Sequence, residues 1–157
     1  MKPMKPMKQM KPMKPLKRKR LNPVTRKDLI KLLKWRNPQR NYHKGDFGRV
    51  LVIGGSSEYS GAVYLATQAV ATLRAGVDWV TVASPTSAAY AIKALAPDIV
   101  VTEIKDDFFK PQHIPLLLKF AQHFDVVLVG MGLGKETQPF VKAFTEKYCK
   151  KFPKKPL

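Results

Sequence analysis

Apolar positions along the chain fall in short runs separated by polar turns that glycine or proline punctuates. Val50–Ile53 is a continuous apolar run with Gly48 before it and Gly54-Gly55 after it, the pattern of a strand buried on both faces. Ala62, Leu65, Ala66, Ala69, Val70 and Leu73 then recur at helical spacing, a stripe that a helix turns toward a core, and Gly76 closes that helix. Trp79–Ala83, Ile99–Ile104 and Val126–Val129 read as three further strands. Helices are expected over Ser87–Leu95, stopped at Pro97, over about 113–124 with Pro115 in the first turn, and over Gln138–Tyr148. Strands rich in β-branched residues alternating with helices predict an α/β fold of parallel βαβ units with right-handed crossovers.

Both ends depart from this texture. Residues 1–15 repeat Met-Lys-Pro, with Gln9 in place of one proline. Proline at that density forbids an α-helix, and the three-residue period suits polyproline II. Residues 1–22 are therefore read as a disordered, low-complexity basic tail, and 23–157 as the α/β domain. Thr25-Arg26-Lys27-Asp28 offers a cap for a short helix with Leu29, Ile30, Leu32 and Leu33, ending before Pro38. At the other end, Pro156-Leu157 follow soon after the last helix, where the alternation asks for another strand. An exposed pairing edge and a truncated sheet are the expectation.

The net charge of +18 is concentrated in the same places. Residues 1–22 carry nine Lys/Arg and no acid, residues 142–157 carry six Lys and one Glu, and the middle is nearly balanced. Such ends suit nonspecific contact with polyanions, while no helix-turn-helix, zinc-finger spacing or aromatic RNA-binding signature is present. Cys149 is the single cysteine, so no internal disulfide forms and a reducing compartment is the default. With neither a membrane-length apolar run nor a secretory h-region, the expected location is the cytoplasm. A homo-oligomer is left open.

Two glycine clusters follow strand ends: Gly54-Gly55-Ser56 leading to Gly61, and Gly130-Met131-Gly132-Leu133-Gly134. In open α/β sheets ligands bind beyond the carboxyl ends of strands, so both fall where a site belongs. Neither matches G-x-G-x-x-G or a P-loop, and tight strand-to-helix turns are the competing reading. Asp46 is expected to accept backbone N–H groups in the turn before Gly48. Lys44 is an electrostatic candidate for a ligand phosphate, whereas His113 and His123 look like helix-face residues. No spacing suggests a metal site, and no G-x-S-x-G elbow suggests a serine hydrolase.

Taken in order, His43-Lys44-Gly45-Asp46-Phe47-Gly48-Arg49-Val50-Leu51-Val52-Ile53-Gly54-Gly55-Ser56, Tyr59-Ser60-Gly61-Ala62, Leu73-Arg74-Ala75-Gly76 and Val129-Gly130-Met131-Gly132-Leu133-Gly134 resemble the ADP-dependent NAD(P)H-hydrate dehydratases. The resemblance covers roughly residues 24–157 and implies a ribokinase-like fold. It implies a lyase that uses ADP, or ATP in relatives, with Mg2+, to remove water from hydrated NADH or NADPH. The resemblance further implies that the hydroxyl of the hydrate is phosphorylated and then eliminated as phosphate. By the same resemblance Ala62 and Gly132, supported by Gly61 and Gly130, contact the hydrated dinucleotide.

Val63 and Met131 stand where many members of that family have proline. The family's Thr-Pro-His segment, nucleotide-binding stretch and Gly-Thr-Gly-Asp motif, with its catalytic aspartate, have no counterpart here. The only Gly-Asp dipeptide is Gly45-Asp46, in the first motif. The 157 residues alone are thus expected to be incomplete and inactive, with the catalytic residue unassigned. The alternative is a basic α/β module that binds dinucleotides or polyanions without catalysis.

Overall fold

The computed structural model describes residues 25–28, 30, 41–71 and 76–157. The Met-Lys-Pro tail, most of the predicted first helix and Leu73 lie outside them. Within the described part of that helix the Thr25 cap is present. Thr25 N–H donates to Asp28 Oδ2 at 2.9 Å while Asp28 N–H donates back to Thr25 Oγ1 at 3.3 Å, a reciprocal capping box. Tyr42–Leu157 forms a separate compact unit.

That unit alternates as the apolar pattern predicts. The elements are β1 (Arg49–Ile53), α1 (Gly61–Ala71), β2 (Trp79–Pro85), α2 (Thr86–Leu95), β3 (Val100–Ile104), α3 (Ile114–Ala121), β4 (Val126–Val129) and α4 (Gln138–Lys151). Single 3-10 turns at Pro111–His113 and Lys135–Thr137 lead into α3 and α4. Proline sits in the first turn of both helices, where its missing N–H costs no helical bond. The four strands are parallel in the order β3-β2-β1-β4.

Alternate side chains of β1 serve two cores. Val50 and Val52 pack with Val63 of α1, Val82 of β2 and Ile92 of α2. Leu51 and Ile53 face the other way, against α3 and α4. That second core contains an aromatic ladder, with ring centroids 5.0 Å apart for Phe109–Phe140, 5.5 Å for Phe140–Phe144 and 5.8 Å for Phe144–Tyr148. Positions 140, 144 and 148 lie one helical turn apart along one side of α4, which is why an otherwise lysine-rich helix docks at all.

The α1 stripe is not the one its sequence spacing suggests. Val63 and Thr67 are fully buried, whereas Ala62 and Ala69 are exposed and Leu65 is 67% exposed. The segment Gly61–Ala71 has no charged residue, so its apolar positions do not mark a single face. Packing decides instead. Val63 fits over the Gly54-Gly55 turn, where its methyls lie 3.0 and 3.2 Å from the points a Cβ would occupy, and the Thr67 hydroxyl is satisfied within the helix by Val63 O at 2.7 Å.

After α4 the chain turns back. Val127 N–H donates to Pro156 O at 3.3 Å, and Lys155 Nζ donates to Gln122 O and Phe124 O at 2.8 and 2.7 Å. The ammonium thereby satisfies carbonyls just past the C-terminus of α3. Among the described residues no helix is long and apolar enough to cross a membrane.

Candidate functional site

The chain builds outward from β1 through β2 to β3, then returns to place β4 on the other side of β1. Such a reversal opens a crevice beyond the carboxyl ends of the two strands concerned. Those strands are β1 and β4, and each leads into one of the two glycine clusters.

The two clusters touch. Gly55 N–H donates to Met131 O at 2.8 Å, and Gly130 N–H donates to Ile53 O at 3.3 Å. A Cβ on Gly54 would stand 2.5 Å from Met131 O, and one on Gly132 (φ +65°) 2.8 Å from Tyr59 O. Glycine at these positions is what lets two backbones approach this closely. Gly61 and Gly130 differ, because a Cβ on either would meet nothing within 4 Å. They border open space, and both are exposed.

A turn over Ser56–Tyr59 presents α1 to this crevice. Ser56 N–H donates to Tyr59 O at 3.1 Å, and Tyr59 N–H returns to Ser56 Oγ at 3.2 Å. Tyr64 N–H donates to Ser60 O at 3.1 Å, the first turn-closing bond of the helix. The N–H groups of Gly61, Ala62 and Val63 therefore precede the ladder and carry the positive end of the helix dipole. The second loop is closed by the buried Thr137, whose hydroxyl reaches Leu133 O and Gly134 O at 3.1 and 2.8 Å.

Beside the loops lies a cleft of about 230 Å³ lined by Ser56, Ser57, Glu58, Asp107, Phe108 and Glu136. Ser57 N–H donates to Asp107 O at 2.9 Å, tying the β1 loop to the segment after β3. Three carboxylates and no cationic side chain line this cleft. It suits hydroxyl or amide donors of a ligand and does not suit the polyphosphate of a nucleotide such as ADP or ATP. Among the described residues no three His, Cys, Asp or Glu side chains are placed to hold a metal ion.

Gly61, Ala62, Gly130 and Gly132 are thus gathered at one end of the sheet, and Lys44 is not with them. Lys44 Nζ lies 4.9 Å from the Trp79 ring centroid, and Gly45 N–H donates to Asp78 Oδ2 at 2.9 Å. Trp79 opens β2, so Lys44 stands at the amino ends of the strands, about 15 Å from the loops by the rise of a five-residue strand. Asp46 accepts from His43 N–H at 2.8 Å in the turn the sequence predicts. His113 is not a helix-face residue. It ends the 3-10 turn before α3, and its Nδ1 accepts the Lys110 N–H at 3.0 Å. Nearby, the Lys110 ammonium bonds Asp106 Oδ1 at 2.8 Å and holds that carboxyl below its ordinary value of 3.8.

The family model described as NAD(P)H-hydrate dehydratase matches residues 50–152, from the first residues of β1 to just past α4. The chain belongs to the NAD(P)H-hydrate dehydratase family. It is 51% identical over 102 residues to a bifunctional NAD(P)H-hydrate repair enzyme of Pyrobaculum aerophilum, covering 63% of this chain and 20% of that one. It is 38% identical over 116 residues to an ATP-dependent (S)-NAD(P)H-hydrate dehydratase of Drosophila melanogaster, covering 73% and 37%. Among solved structures, a ribokinase-like superfamily protein of Enterococcus faecalis aligns with a TM-score of 0.55 at 28% identity, over 71% of this chain and 37% of that one. The fold is therefore ribokinase-like, and this member spans between a fifth and somewhat over a third of the length of these relatives.

Two features of the site were not singled out from sequence. The carboxylate-lined cleft joins Glu58, Asp107 and Glu136 from three separate loops, a juxtaposition that needs the sheet order. Ser84, at the end of β2, contacts the first glycine loop through Gly54 O at 2.7 Å. The Ser84-Pro85 pair at a strand end is the signal that could have revealed it.

Proposed function

We propose that this chain provides the hydrated-dinucleotide side of a nucleotide-dependent NAD(P)H-hydrate dehydratase, with Gly61, Ala62, Gly130 and Gly132 as the contact positions. The observation that carries the reading is the meeting of two glycine loops at the β1/β4 reversal, with Gly61 and Gly130 open to solvent. The free N–H groups at the start of α1 bind the pyrophosphate, since a helix N-terminus favours an anion and exposed donors complete it. The adjoining carboxylate-lined cleft receives a donor-rich part of the ligand, a ribose diol or a carboxamide, and its own negative charge keeps phosphates on the α1 side.

ADP or ATP, with Mg2+, would turn the hydrate's hydroxyl into a leaving group. No cationic side chain lines the cleft for that nucleotide, so these loops bind and orient the substrate and no phosphoryl step is assigned to them. Lys44 lies at the far end of the sheet and has no part in this binding.

Ala62→Asp tests the reading. Position 62 is exposed in the first turn of α1, where a carboxylate stabilises the helix and at the same time repels a pyrophosphate. Calorimetric titration with hydrated NADH is expected to show binding to the parent chain and affinity weakened about tenfold or more in the variant, with unfolding stability unchanged or slightly raised. Equal affinity in both proteins would remove α1 from the site.

A further inference from the structure

We infer that Ser84 is a positioning residue that sets the two glycine loops through the Gly54–Gly55 peptide, an inference that rests on the dinucleotide-binding reading above. The argument begins with the register of β1 and β2. Val52 pairs with Val82 and Ile53 with Ala83, and Gly54 N–H continues the ladder by donating to Ala83 O at 3.2 Å. In a parallel ladder the next rung is the N–H of residue 85 donating to Gly54 O. Position 85 is proline, which has no N–H to give.

Ser84 fills that vacancy with its side chain. Its hydroxyl donates to Gly54 O at 2.7 Å, and the residue is fully buried. Gly54 and Gly55 are buried as well, so without this hydroxyl the carbonyl would lose its donor in a place water does not reach.

The other half of the same peptide points at the second loop. Gly55 N–H donates to Met131 O at 2.8 Å. Ile53 pairs with Val129, and a regular ladder would bring Gly130 O opposite Gly55 N–H. The acceptor is one residue further on, and Gly130 adopts φ +131° there. One peptide plane is thus held by a hydroxyl from β2 on one side and by the β4 loop on the other. Rotation of that plane moves Met131, and with it Gly132, where an added Cβ would stand 2.8 Å from Tyr59 O. Ser84 in this way governs the spacing between the Gly61–Ala62 turn and the Gly130–Gly132 loop without touching the ligand.

The decisive experiment compares the parent chain, Ser84→Ala and the double variant Ser84→Ala/Pro85→Ala, which returns a backbone N–H to the vacant rung. Amide hydrogen exchange and titration with hydrated NADH are read on each. Ser84→Ala is expected to lower the protection of the Gly55 amide about tenfold and to weaken hydrated NADH by a similar factor, with amides of α3 and α4 unchanged. The double variant is expected to recover most of both losses. If Ser84→Ala does not fold, Ser84→Cys keeps the side-chain shape with a larger sulfur atom and a poorer donor, and should show the same two losses in smaller measure.

Unchanged Gly55 protection in Ser84→Ala, or no recovery in the double variant, would overturn the inference. Failure of the parent chain to bind hydrated NADH would instead overturn the functional reading, and the exchange measurement would still decide whether Ser84 sets the loops. Binding in the parent with equal affinity in Ser84→Ala would sink the role of Ser84 and leave that reading standing.

Discussion

Gly55→Ala is expected to destabilise the domain by about 3–5 kcal/mol, a large part of the roughly 5–15 kcal/mol that holds a typical domain together. Two costs combine. Gly55 has φ +87°, in the left-handed region where a side chain costs about 1–3 kcal/mol. The added methyl would also stand 2.8 Å from Ala88 Cβ and closer still to Ser84 Oγ. Ala88 and Ser84 are buried, at 1% and 0% exposure, so neither can swing away, and overpacking of this kind costs about 1–3 kcal/mol. The alternative is for the loop to move, which would break the 2.8 Å bond from Gly55 to Met131. Chemical denaturation gives the stability loss directly. Gly61→Ala is the control, because a Cβ there meets nothing within 4 Å. Its effect on stability should be small or favourable, since alanine suits a helix better than glycine does.

Phe144→Ala is expected to cost a similar about 3–5 kcal/mol, by a different route. The ring is fully buried between Phe140 and Tyr148, with centroids 5.5 and 5.8 Å away. Its removal opens a cavity in the middle of the aromatic ladder that docks α4, and rings anchored on one helix cannot close the gap. Denaturant titration would show a lower midpoint with an unchanged slope if the native fold is kept. Phe144→Leu, which refills much of the volume, should recover more than half of the loss. A Phe144→Ala loss below about 1 kcal/mol would mean that α4 contributes little to the core.

The parts of this fold legible in the sequence are those in which local chemistry and tertiary packing ask for the same residues. Val50–Ile53 and Val126–Val129 are short, wholly apolar and each runs straight into a glycine, and they are strands of the parallel sheet. The two glycine clusters were legible as loops at strand ends for the same reason. On α1 local chemistry was silent. With no charge between Gly61 and Ala71 to mark a wet side, the i, i+3, i+4 pattern could be drawn through Ala62 and Leu65 as easily as through Val63 and Thr67. The close fit of Val63 over Gly54 and Gly55 selects the second.

Lys44 is a case that the order of residues already decides: it precedes Val50–Ile53 and the glycine pair follows them, so the length of β1 separates it from the glycine loops. The crevice itself needs the order of the strands, which no local pattern contains, and Ser84 needs their register. Once Ile53 is known to face Ala83, the absent N–H of Pro85 and the purpose of the Ser84 hydroxyl follow together.

The claim that the two glycine loops form a single dinucleotide-binding surface can be measured residue by residue. Backbone amide chemical shifts of the 157-residue chain, followed during titration with hydrated NADH, report where the ligand sits. The account predicts that the largest shifts fall on Gly61–Val63 and on Gly130–Gly132 and saturate together, while amides around Lys44 and Trp79 stay in place. Shifts centred on the Lys44–Trp79 end of the sheet, or none at either loop at saturating ligand, would contradict it.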